Sequence, residues 1–414
     1  MTRVAPDSLD EGASGMPPGV LPVPDPPEPP SHAAEGLRIG LIVPGFSAEE
    51  ADWCIPALRD LVRELARRHE VHVFALRYPH RRGSYRVDGA MVHAFGGALA
   101  RRGARARLLT RAFAHIRAEH RRRPLDLLHA FWADEPGLLA VTAGRVMGVP
   151  SLVSLMGGEL MGLHELDYGG QLNRVNRTMT RHVLRRAGRV TAGSEYLCRL
   201  AASRFGHSGV TRLPLGVDTR RFHPDPGAGE GPVLEGAGPK LLSVGSLVPV
   251  KDQETLLKAL ARVVPQFPEV RLHLVGAGPL RGPLERQAAD LGISGEVTFH
   301  GSVPHDRLPA YYRAADLCIL SSQHESQGMV VLEAAACGRA TVGTAVGILP
   351  ELAPPAPVPV GDARRLAEAM ATLLEDPAAV HLSGRLALER VSEGYTLDRS
   401  MAALSSLYDT LLGG

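Results

Sequence analysis

The chain has 414 residues, 44% of them hydrophobic, and a formal net charge of +2 at neutral pH. This length allows two domains with large cores, and the nearly balanced charge gives no strong overall attraction to polyanions. No apolar run approaches the roughly 20 residues needed to span a bilayer, and the first residues lack the pattern of a secretory signal. The four cysteines are scattered without a CxxC pair, so we expect a protein of the reduced cytoplasm.

The first half of the chain alternates strand and helix patterns after a tail. Residues 1–35 are rich in Pro, Gly, Ser and acids, which predicts disorder. An amphipathic helix is predicted over Ala48–Arg68, and apolar strands are predicted at Leu37–Val43, Val71–Ala75, Leu127–Phe131, Ser151–Leu155 and Arg189–Ala192. Alternation at this spacing predicts a parallel sheet with helices on both faces, in a domain spanning 36–225.

The second half repeats the alternation after a Gly/Pro-rich stretch, 226–238, that predicts a linker. In the domain expected over 239–394, strands are predicted at Lys240–Gly245, Arg271–Val275, Val297–His300, Leu317–Leu320 and Ala340–Val342. Helices are predicted at Asp252–Val264, Leu280–Leu291, His305–Ala314 and Gly328–Cys337. Two doubly wound halves facing across a cleft should bind ligands beyond the carboxyl ends of their strands.

Two acids flank the start of the alanine-rich helix that opens at Gly328. Glu325 precedes this helix and Glu333 lies inside it, eight positions later. The first amides of a helix favour a phosphate, and a carboxylate can accept two hydrogen bonds from a sugar diol. Such spacing alone more often marks a solvated helix face, but Glu333 lies among apolar residues. The pattern indicates a nucleotide-sugar site.

Other loops offer weaker signals. Lys251, in a strand-to-helix loop, is placed either to clamp a diphosphate or to lie on the surface near a helix cap. Gly45 either lets the backbone approach a ligand or forms a simple turn. Gly276 to Gly278 resembles half of a dinucleotide fingerprint, but a tight turn is favoured because no acid follows at the expected position. Motifs of metalloproteases, esterases and P-loop NTPases are absent from the sequence.

The most basic stretch runs from Arg77 to Arg123. It contains 13 arginines against Asp88 and Glu119, interleaved with apolar residues on expected helices. The stretch either contacts an anionic lipid surface or provides solvated helix faces. Nucleic-acid binding is disfavoured because no aromatic platform accompanies the arginines.

Together these residues resemble the retaining GT-B glycosyltransferases of family 4, over nearly all of the chain from residue 37. The strongest likeness is the segment from Glu325 to Glu333, which is similar to the family's E-x7-E motif. Supporting likenesses are Val244–Lys251, Phe299–Gly301 and Pro214–Asp218. The resemblance implies an α/β GT-B fold of two Rossmann-like domains, with acceptor bound to the first and nucleotide sugar to the second. Residues 395–414 should form helices that pack back toward the first domain.

The resemblance also implies roles for individual residues. A hexose-type sugar would pass from a nucleoside diphosphate to a glycan, lipid or small-molecule acceptor, without metal or other cofactor, and with the leaving diphosphate accepting the acceptor's proton. Glu325 and Lys251 would be catalytic, Glu333 would hold the ribose, and the loop at Gly301 would meet the base. The implied donor-binding set is Gly45, Ser246, Lys251, Gly301, Ser302, Val303, Glu325, Gly328, Met329, Val330 and Glu333.

Two positions depart from the family pattern. Ser246 stands where the family commonly has Arg, so a bidentate phosphate contact is lost. Met156 stands where a sugar-contacting histidine is usual, and Glu159, His164 or Tyr168 could replace it on the acceptor side. Two rival interpretations follow: an inactive nucleotide-sugar-binding module and a nucleotide-sugar epimerase. For the enzyme we expect a cytoplasmic location, with possible association with the membrane face.

Overall fold

The computed structural model describes residues 36–97, 103–225, 234–352 and 357–413. The tail predicted over 1–35 and most of the linker predicted over 226–238 lie outside these residues. The described chain forms two α/β units, each built on its own sheet. The prediction of two doubly wound halves is therefore confirmed. Among the described residues, no helix is both long and apolar enough to cross a bilayer.

The first unit, the N-domain, contains an eight-stranded sheet in the order β3-β4-β2-β1-β5-β6-β7-β8. Only β3 pairs antiparallel to its neighbour. The strands are β1 Arg38–Gly45, β2 Glu70–Tyr78, β3 Arg82–Val87, β4 Ala90–Phe95, β5 Leu127–Phe131, β6 Ser151–Leu155, β7 Arg189–Ala192 and β8 Val210–Arg212. The helices are α1 Pro56–Ala66, α2 Ala104–Arg122, α3 Glu135–Met147, α4 Arg174–Arg186 and α5 Glu195–Phe205.

One expectation for the N-domain was wrong, and one element was missed. Helix α1 begins at Pro56 rather than near Ala48, because proline is suited to the first helical position and the preceding residues form a loop. The helix expected in the arginine-rich stretch is confirmed by α2, but the hairpin of β3 and β4 within this stretch was not predicted. Asp88 and Gly89 both adopt positive φ angles, 48° and 84°, at the turn of this hairpin. An Asp-Gly pair strongly favours a two-residue hairpin turn, and the arginines around it do not prevent one.

The second unit, the C-domain, contains a five-stranded parallel sheet in the order β11-β10-β9-β12-β13. Its strands are β9 Lys240–Val244, β10 Arg271–Val275, β11 Val297–Gly301, β12 Leu317–Leu320 and β13 Thr341–Gly343. Its helices are α6 Gln253–Val263, α7 Arg281–Asp290, α8 Leu308–Ala314, α9 Met329–Ala336, α10 Ala363–Glu375 and α11 Pro377–Gly394. Every strand pairs in parallel, so all the strand-to-helix loops that follow them emerge at one edge of the sheet.

The last helix, α12 Leu397–Leu412, returns to the N-domain. The buried Leu404 and Tyr408 pack into the core beneath β1, and the Tyr408 hydroxyl lies 2.8 Å from His129 Nδ1 on β5. A parallel bridge between Val217 and Thr396 joins the two crossing segments. The crossover therefore ties the end of the chain to the first domain and closes one side of the cleft.

Candidate functional site

A cavity of about 410 Å³ lies between the two domains. Its walls come from the carboxyl ends of β5, β6 and β7 on one side, and from β9 and the start of α9 on the other. Residues that line it include Met156, Gly193, Ser246, Glu325 and Glu333. The crossover helix α12 also contributes to the lining. The cavity therefore lies at the strand ends of both sheets, where doubly wound folds bind ligands.

The two residues predicted to be catalytic, Lys251 and Glu325, lie next to each other near the N-terminus of α9. Lys251 Nζ lies 2.5 Å from Glu325 Oε1, and the Ser322 hydroxyl donates to the same oxygen at 2.7 Å. Lys251 ends a 3-10 turn, and its carbonyl accepts a hydrogen bond from Ser321 at 2.8 Å. Two separate loops thus hold one ammonium beside one carboxylate. Glu325 Oε2 accepts no hydrogen bond from the described residues, which leaves it available for a hydroxyl group.

Helix α9 starts as the sequence pattern indicates. Gly328 caps it in the left-handed conformation, with φ of 81°, a backbone shape that glycine adopts without strain. The amides of Met329 and Val330 belong to the first turn, where no intrahelical acceptor exists. Glu325 lies just before Gly328, and the two residues that follow Gly328, Met329 and Val330, line the cavity. The arrangement can hold a phosphate next to a sugar.

Glu333 is buried one turn further along α9 and already has two partners. His305 Nε2 lies 2.9 Å from Oε1, and the Tyr312 hydroxyl donates to Oε2 at 2.7 Å. Burial and this carboxylate raise the pKa of Tyr312 well above its usual value. Each carboxylate oxygen keeps a second lone pair, so a ribose contact remains possible. Sequence reasoning missed both partners, since neither belongs to a recognisable motif.

His305 also connects Glu333 to the N-domain. Its ring packs against Trp53 with 5.2 Å between the centroids. Arg221 stacks on the same tryptophan at 5.1 Å and forms an ion pair with Asp60 at 2.9 Å. The arginine that comes from the crossing segment is therefore engaged with protein groups, and it does not replace the guanidinium missing at Ser246.

The remaining predicted donor-side residues, Gly301, Ser302, Val303 and Gly45, are not among the residues that line the cavity. Gly301, with φ of 73°, accepts a hydrogen bond from the Gly276 amide at 2.8 Å, so two loops meet at the edge of the sheet. Ser302 is exposed and Val303 is half-buried. Gly45 lies apart from the cavity lining: a Cβ there would lie 2.9 Å from Cβ of Tyr78. Tight packing of β1 on β2 thus explains this glycine, and its predicted phosphate contact stays a prediction.

The three acceptor-side candidates have different surroundings. Glu159 is only 2% exposed, and its Oε1 accepts from the Met156 amide at 2.9 Å. Burial, with the nearby Asp134 adding to it, raises the pKa of Glu159 to about 7, despite the opposing backbone hydrogen bonds. Tyr168 lies close to Glu325 and Glu159, and burial followed by these charges raises its pKa to about 12. His164 is exposed on a 3-10 turn.

A histidine that sequence reasoning missed, His324, faces Gly157 from the opposite domain. His324 is 3% exposed, and its Nδ1 lies 3.1 Å from the Tyr196 hydroxyl. Its Nε2 is buried without a hydrogen-bond partner among the described residues, and a Cβ on Gly157 would lie 2.8 Å from it. Burial is the main cause that lowers the pKa of His324 to about 4. Its position directly before Glu325 was the available signal.

A second cluster of histidines lies in the N-domain, away from the cavity. His72 Nδ1 is 3.0 Å from His93 Nε2, and with Glu119 these residues are close enough to share a cation. The Arg38 guanidinium, however, lies 3.0 Å from His72 Nε2 and 3.5 Å from Glu119 Oε2. A buried positive charge at these distances disfavours a metal ion, so the cluster is a hydrogen-bonded network.

Comparisons with known proteins agree with this geometry. Residues 57–221 match the model of Glycosyltransferase Family 4, and residues 232–387 match that of Glycosyl transferases group 1. A GDP-mannose-dependent alpha-(1-6)-phosphatidylinositol monomannoside mannosyltransferase of Mycolicibacterium smegmatis is 34% identical over 54% of this chain and 63% of its own length. The enzyme of that name from Mycobacterium tuberculosis (strain H37Rv) is 32% identical over 66% of this chain and 74% of its own length.

Solved structures share the architecture. A sucrose-phosphate synthase from Thermosynechococcus elongatus superposes with a TM-score of 0.74 at 20% identity, covering 91% of this chain and 99% of its own. HepE of Anabaena, in complex with UDP and glucose, gives a TM-score of 0.71 at 19% identity over 90% and 100% of the two chains. These likenesses confirm the predicted GT-B fold. The chain belongs to the group 1 glycosyltransferases, with an N-domain of the family 4 type.

Proposed function

We propose that the protein is a retaining glycosyltransferase that moves a hexose-type sugar from a nucleoside diphosphate to an acceptor bound by the N-domain. The observation that carries the proposal is the Lys251–Glu325 pair beside the start of α9, in which Glu325 lines the cavity between the domains. An ammonium and free helix amides suit a diphosphate, and the adjacent carboxylate suits sugar hydroxyls. Because two mycobacterial relatives are named GDP-mannose-dependent, GDP-mannose is the first donor to test.

The proposed reaction needs little beyond charge stabilisation. The bond between the anomeric carbon and the diphosphate oxygen breaks, and the acceptor oxygen attacks the same face of the sugar. The acceptor's hydroxyl proton passes to the leaving diphosphate, so no separate base is required. Lys251 and the amides of Met329 and Val330 would stabilise the charge that develops on the leaving group, which is commonly the largest catalytic contribution. These groups make the proposed mechanism metal-independent and free of a resident cofactor.

The proposed acceptor side is the wall of the cleft formed by the N-domain and His324. Tyr168 stands near both Glu325 and Glu159, and His324 Nε2 points at the backbone of Gly157. A hydroxyl group entering between the domains would meet these groups before it reaches the anomeric carbon. Exposed His164 is the weakest candidate of the original three.

We further propose that the enzyme acts at the cytoplasmic face of a membrane, through the region Arg77–Arg123. The structure divides this region. Arg77 forms an ion pair with buried Glu135 at 2.6 Å, whereas Arg107, Arg111 and Arg117 on α2 are exposed. The part of the region suited to anionic lipid is therefore α2, and each arginine near such a surface contributes about 1 kcal/mol.

A panel of nucleotide sugars tests the proposal. Thermal shift should identify a donor that raises the melting temperature, and release of nucleoside diphosphate should follow when acceptors are supplied. Analysis of the product's anomeric configuration then tests retention. Binding without release would favour an inactive module, for which the exposed Ser246 is the motivating residue. Conversion of the free nucleotide sugar to its epimer would favour an epimerase, and lack of binding to every donor would refute all three.

A further inference from the structure

Helices α2 and α4 form an unusually basic face of the N-domain. Both pack against α3 on the same side of the sheet. Nine of their arginines form no ion pair with any acid in the described ranges. Four of them are on α2, and the other five are on α4: Arg107, Arg111, Arg117, Arg121, Arg174, Arg177, Arg181, Arg185 and Arg186. Because the whole chain has a net charge of only +2, this positive charge is concentrated rather than typical of the surface.

An apolar groove of about 800 Å³ runs between these two helices. Leu138 of α3 forms its floor, with Leu109 of α2 and Met179 of α4 on its sides. Val175, on the first turn of α4, is 63% exposed, the largest exposed fraction among the large hydrophobic residues described. An open apolar strip with a basic rim is a mark of an interaction surface rather than of a packed core.

One end of the groove lies at the carboxyl edge of the N-domain sheet. Helices α2 and α4 follow the parallel strands β4 and β6, so both begin at this edge. Arg105 crosses this end of the groove: its Nε lies 2.7 Å from Glu135 Oε1, and its guanidinium contacts Met179. Arg174 lies opposite, at the first position of α4. A molecule in the groove would thus place one end at this edge of the sheet and the other along the helices.

We propose that this groove holds the hydrocarbon chain of an anionic lipid, with the arginines of α2 and α4 against the head groups of the membrane. Charge complementarity favours this occupant, because the rim offers guanidinium groups while Leu109, Leu138 and Met179 offer apolar surface. Thr178 and His182 are the uncharged polar or titratable residues of the lining. A nucleic acid would use the arginines but leave the apolar floor without a partner. The inference rests on the proposed membrane contact, and it names the acceptor class that the cleft would meet: a lipid lying in the bilayer.

Binding to vesicles tests the surface. The full-length protein should sediment with vesicles of phosphatidylcholine and phosphatidylglycerol, but much less with phosphatidylcholine alone. Val175→Glu should weaken this binding by about tenfold or more, since it removes one buried valine side chain from the hydrocarbon. The matched control is Leu382→Glu, because Leu382 is 47% exposed on α11 of the other domain. Equal binding by the two variants would overturn the groove, whatever the salt dependence.

Depth of insertion separates a chain in the groove from charge at the surface. Val175→Trp places a fluorophore in the groove, and Leu382→Trp places one on the control site, each against the background of Trp53 and Trp132. Lipids brominated along their acyl chains should quench the additional fluorescence of the first variant and leave that of the second unchanged. If salt abolishes vesicle binding and no such quenching occurs, the protein is attracted to the lipid head groups alone. That result would refute the proposed hydrocarbon site.

These measurements use no nucleotide and no turnover. If the protein binds vesicles through the groove but never releases a nucleoside diphosphate, the transferase proposal fails and the groove stands. If turnover occurs with water-soluble acceptors and vesicles are ignored, the groove fails and the transferase proposal stands. Preference of the basic face for a DNA duplex over anionic vesicles would also overturn the lipid proposal.

Discussion

The two walls of the cleft differ in how well the amino-acid sequence indicates their functional residues. On the C-domain side, Lys251, Glu325 and Glu333 belong to loops and a helix at one sheet edge, and their positions in the sequence together with the family resemblance made them candidates. On the N-domain side, Glu159 and Tyr168 come from irregular segments, and a third group, His324, is supplied by the other domain. A diphosphate needs the same few charges and amides in every member of a family, whereas an acceptor is recognised by loop shape.

The walls also differ in how well their polar groups are satisfied. Both oxygens of Glu333 and one of Glu325 accept hydrogen bonds within the C-domain. On the proposed acceptor side, Glu159 Oε2 of the N-domain and His324 Nε2 of the C-domain are buried without partners among the described residues. Buried polar atoms in this state cost free energy unless a ligand satisfies them. The comparison therefore predicts that the donor-side groups keep their positions without a ligand. The acceptor-side groups should depend on a ligand to satisfy their hydrogen bonds.

Replacing Glu325, the acid just before α9, should have the largest effect on turnover. Glu325→Ala leaves Lys251 without its carboxylate and removes the sugar contact, so turnover should fall about a thousandfold. Release of nucleoside diphosphate measures the loss. The matched control is Glu254→Ala, which breaks another Lys–Glu pair, with Lys258 at 2.6 Å on the exposed face of α6. Comparable rates for the two variants would contradict the catalytic role of Glu325.

Crowding the contact between the domains should have the next largest effect. In Gly157→Ala the new Cβ would lie 2.6 Å from Ser326 Cβ and 2.8 Å from His324 Nε2. The domains must then separate slightly, and turnover should fall by about tenfold or more because reacting atoms move out of alignment. Gly206→Ala is the control, since its φ is also positive, 65°, but no atom lies within 4 Å. Equal activity in the two variants would show that any loss comes from backbone strain rather than from crowding between the domains.

A milder change at the donor acid should weaken nucleotide binding. Glu333→Gln keeps the shape but turns one acceptor into an amide NH₂, which must face either the Tyr312 hydroxyl or His305 Nε2. We expect a loss of about tenfold in nucleoside diphosphate affinity, measured by calorimetry, and about 1 kcal/mol in stability. Glu285→Gln, in an exposed pair with Arg281, should change neither. Unchanged affinity in Glu333→Gln would remove the residue from the donor site.

The last prediction concerns the pH dependence of stability rather than turnover or binding. Burial raises the pKa of Glu159 from 4.5 to about 7, so the folded state binds more protons than the unfolded state between these values. The stabilisation is complete below pH 4.5 and is lost as pH rises through 7, by up to about 3 kcal/mol. The wild-type melting temperature should therefore fall more than that of Glu159→Gln between pH 5 and pH 8. Parallel melting curves would show that the pKa of Glu159 is not raised and that its carboxyl group is already ionised at pH 5.

Strand and motif positions were readable because they depend on local spacing. Strands β5, β6, β7, β10 and β12 have the bounds that their apolar runs predicted, since a buried parallel strand needs a continuous apolar run. The hairpin of β3 and β4 was missed because its outer strand is exposed and polar, with the Asp-Gly turn as its only signal. The early start expected for α1 failed for a local reason as well, the proline at position 56.

Periodicity and motif spacing act over tens of residues, so they were enough to predict the two doubly wound domains, the loops that reach the cleft and the likeness to a glycosyltransferase family. Which groups meet depends on how the folded domains are arranged. Lys251 and Glu325 are 74 residues apart, and Gly157 meets His324 across two domains. The groove between α2 and α4 likewise exists only after both helices pack on α3. Contacts of this kind depend on how the sheets are oriented, and no local spacing in the chain records that orientation.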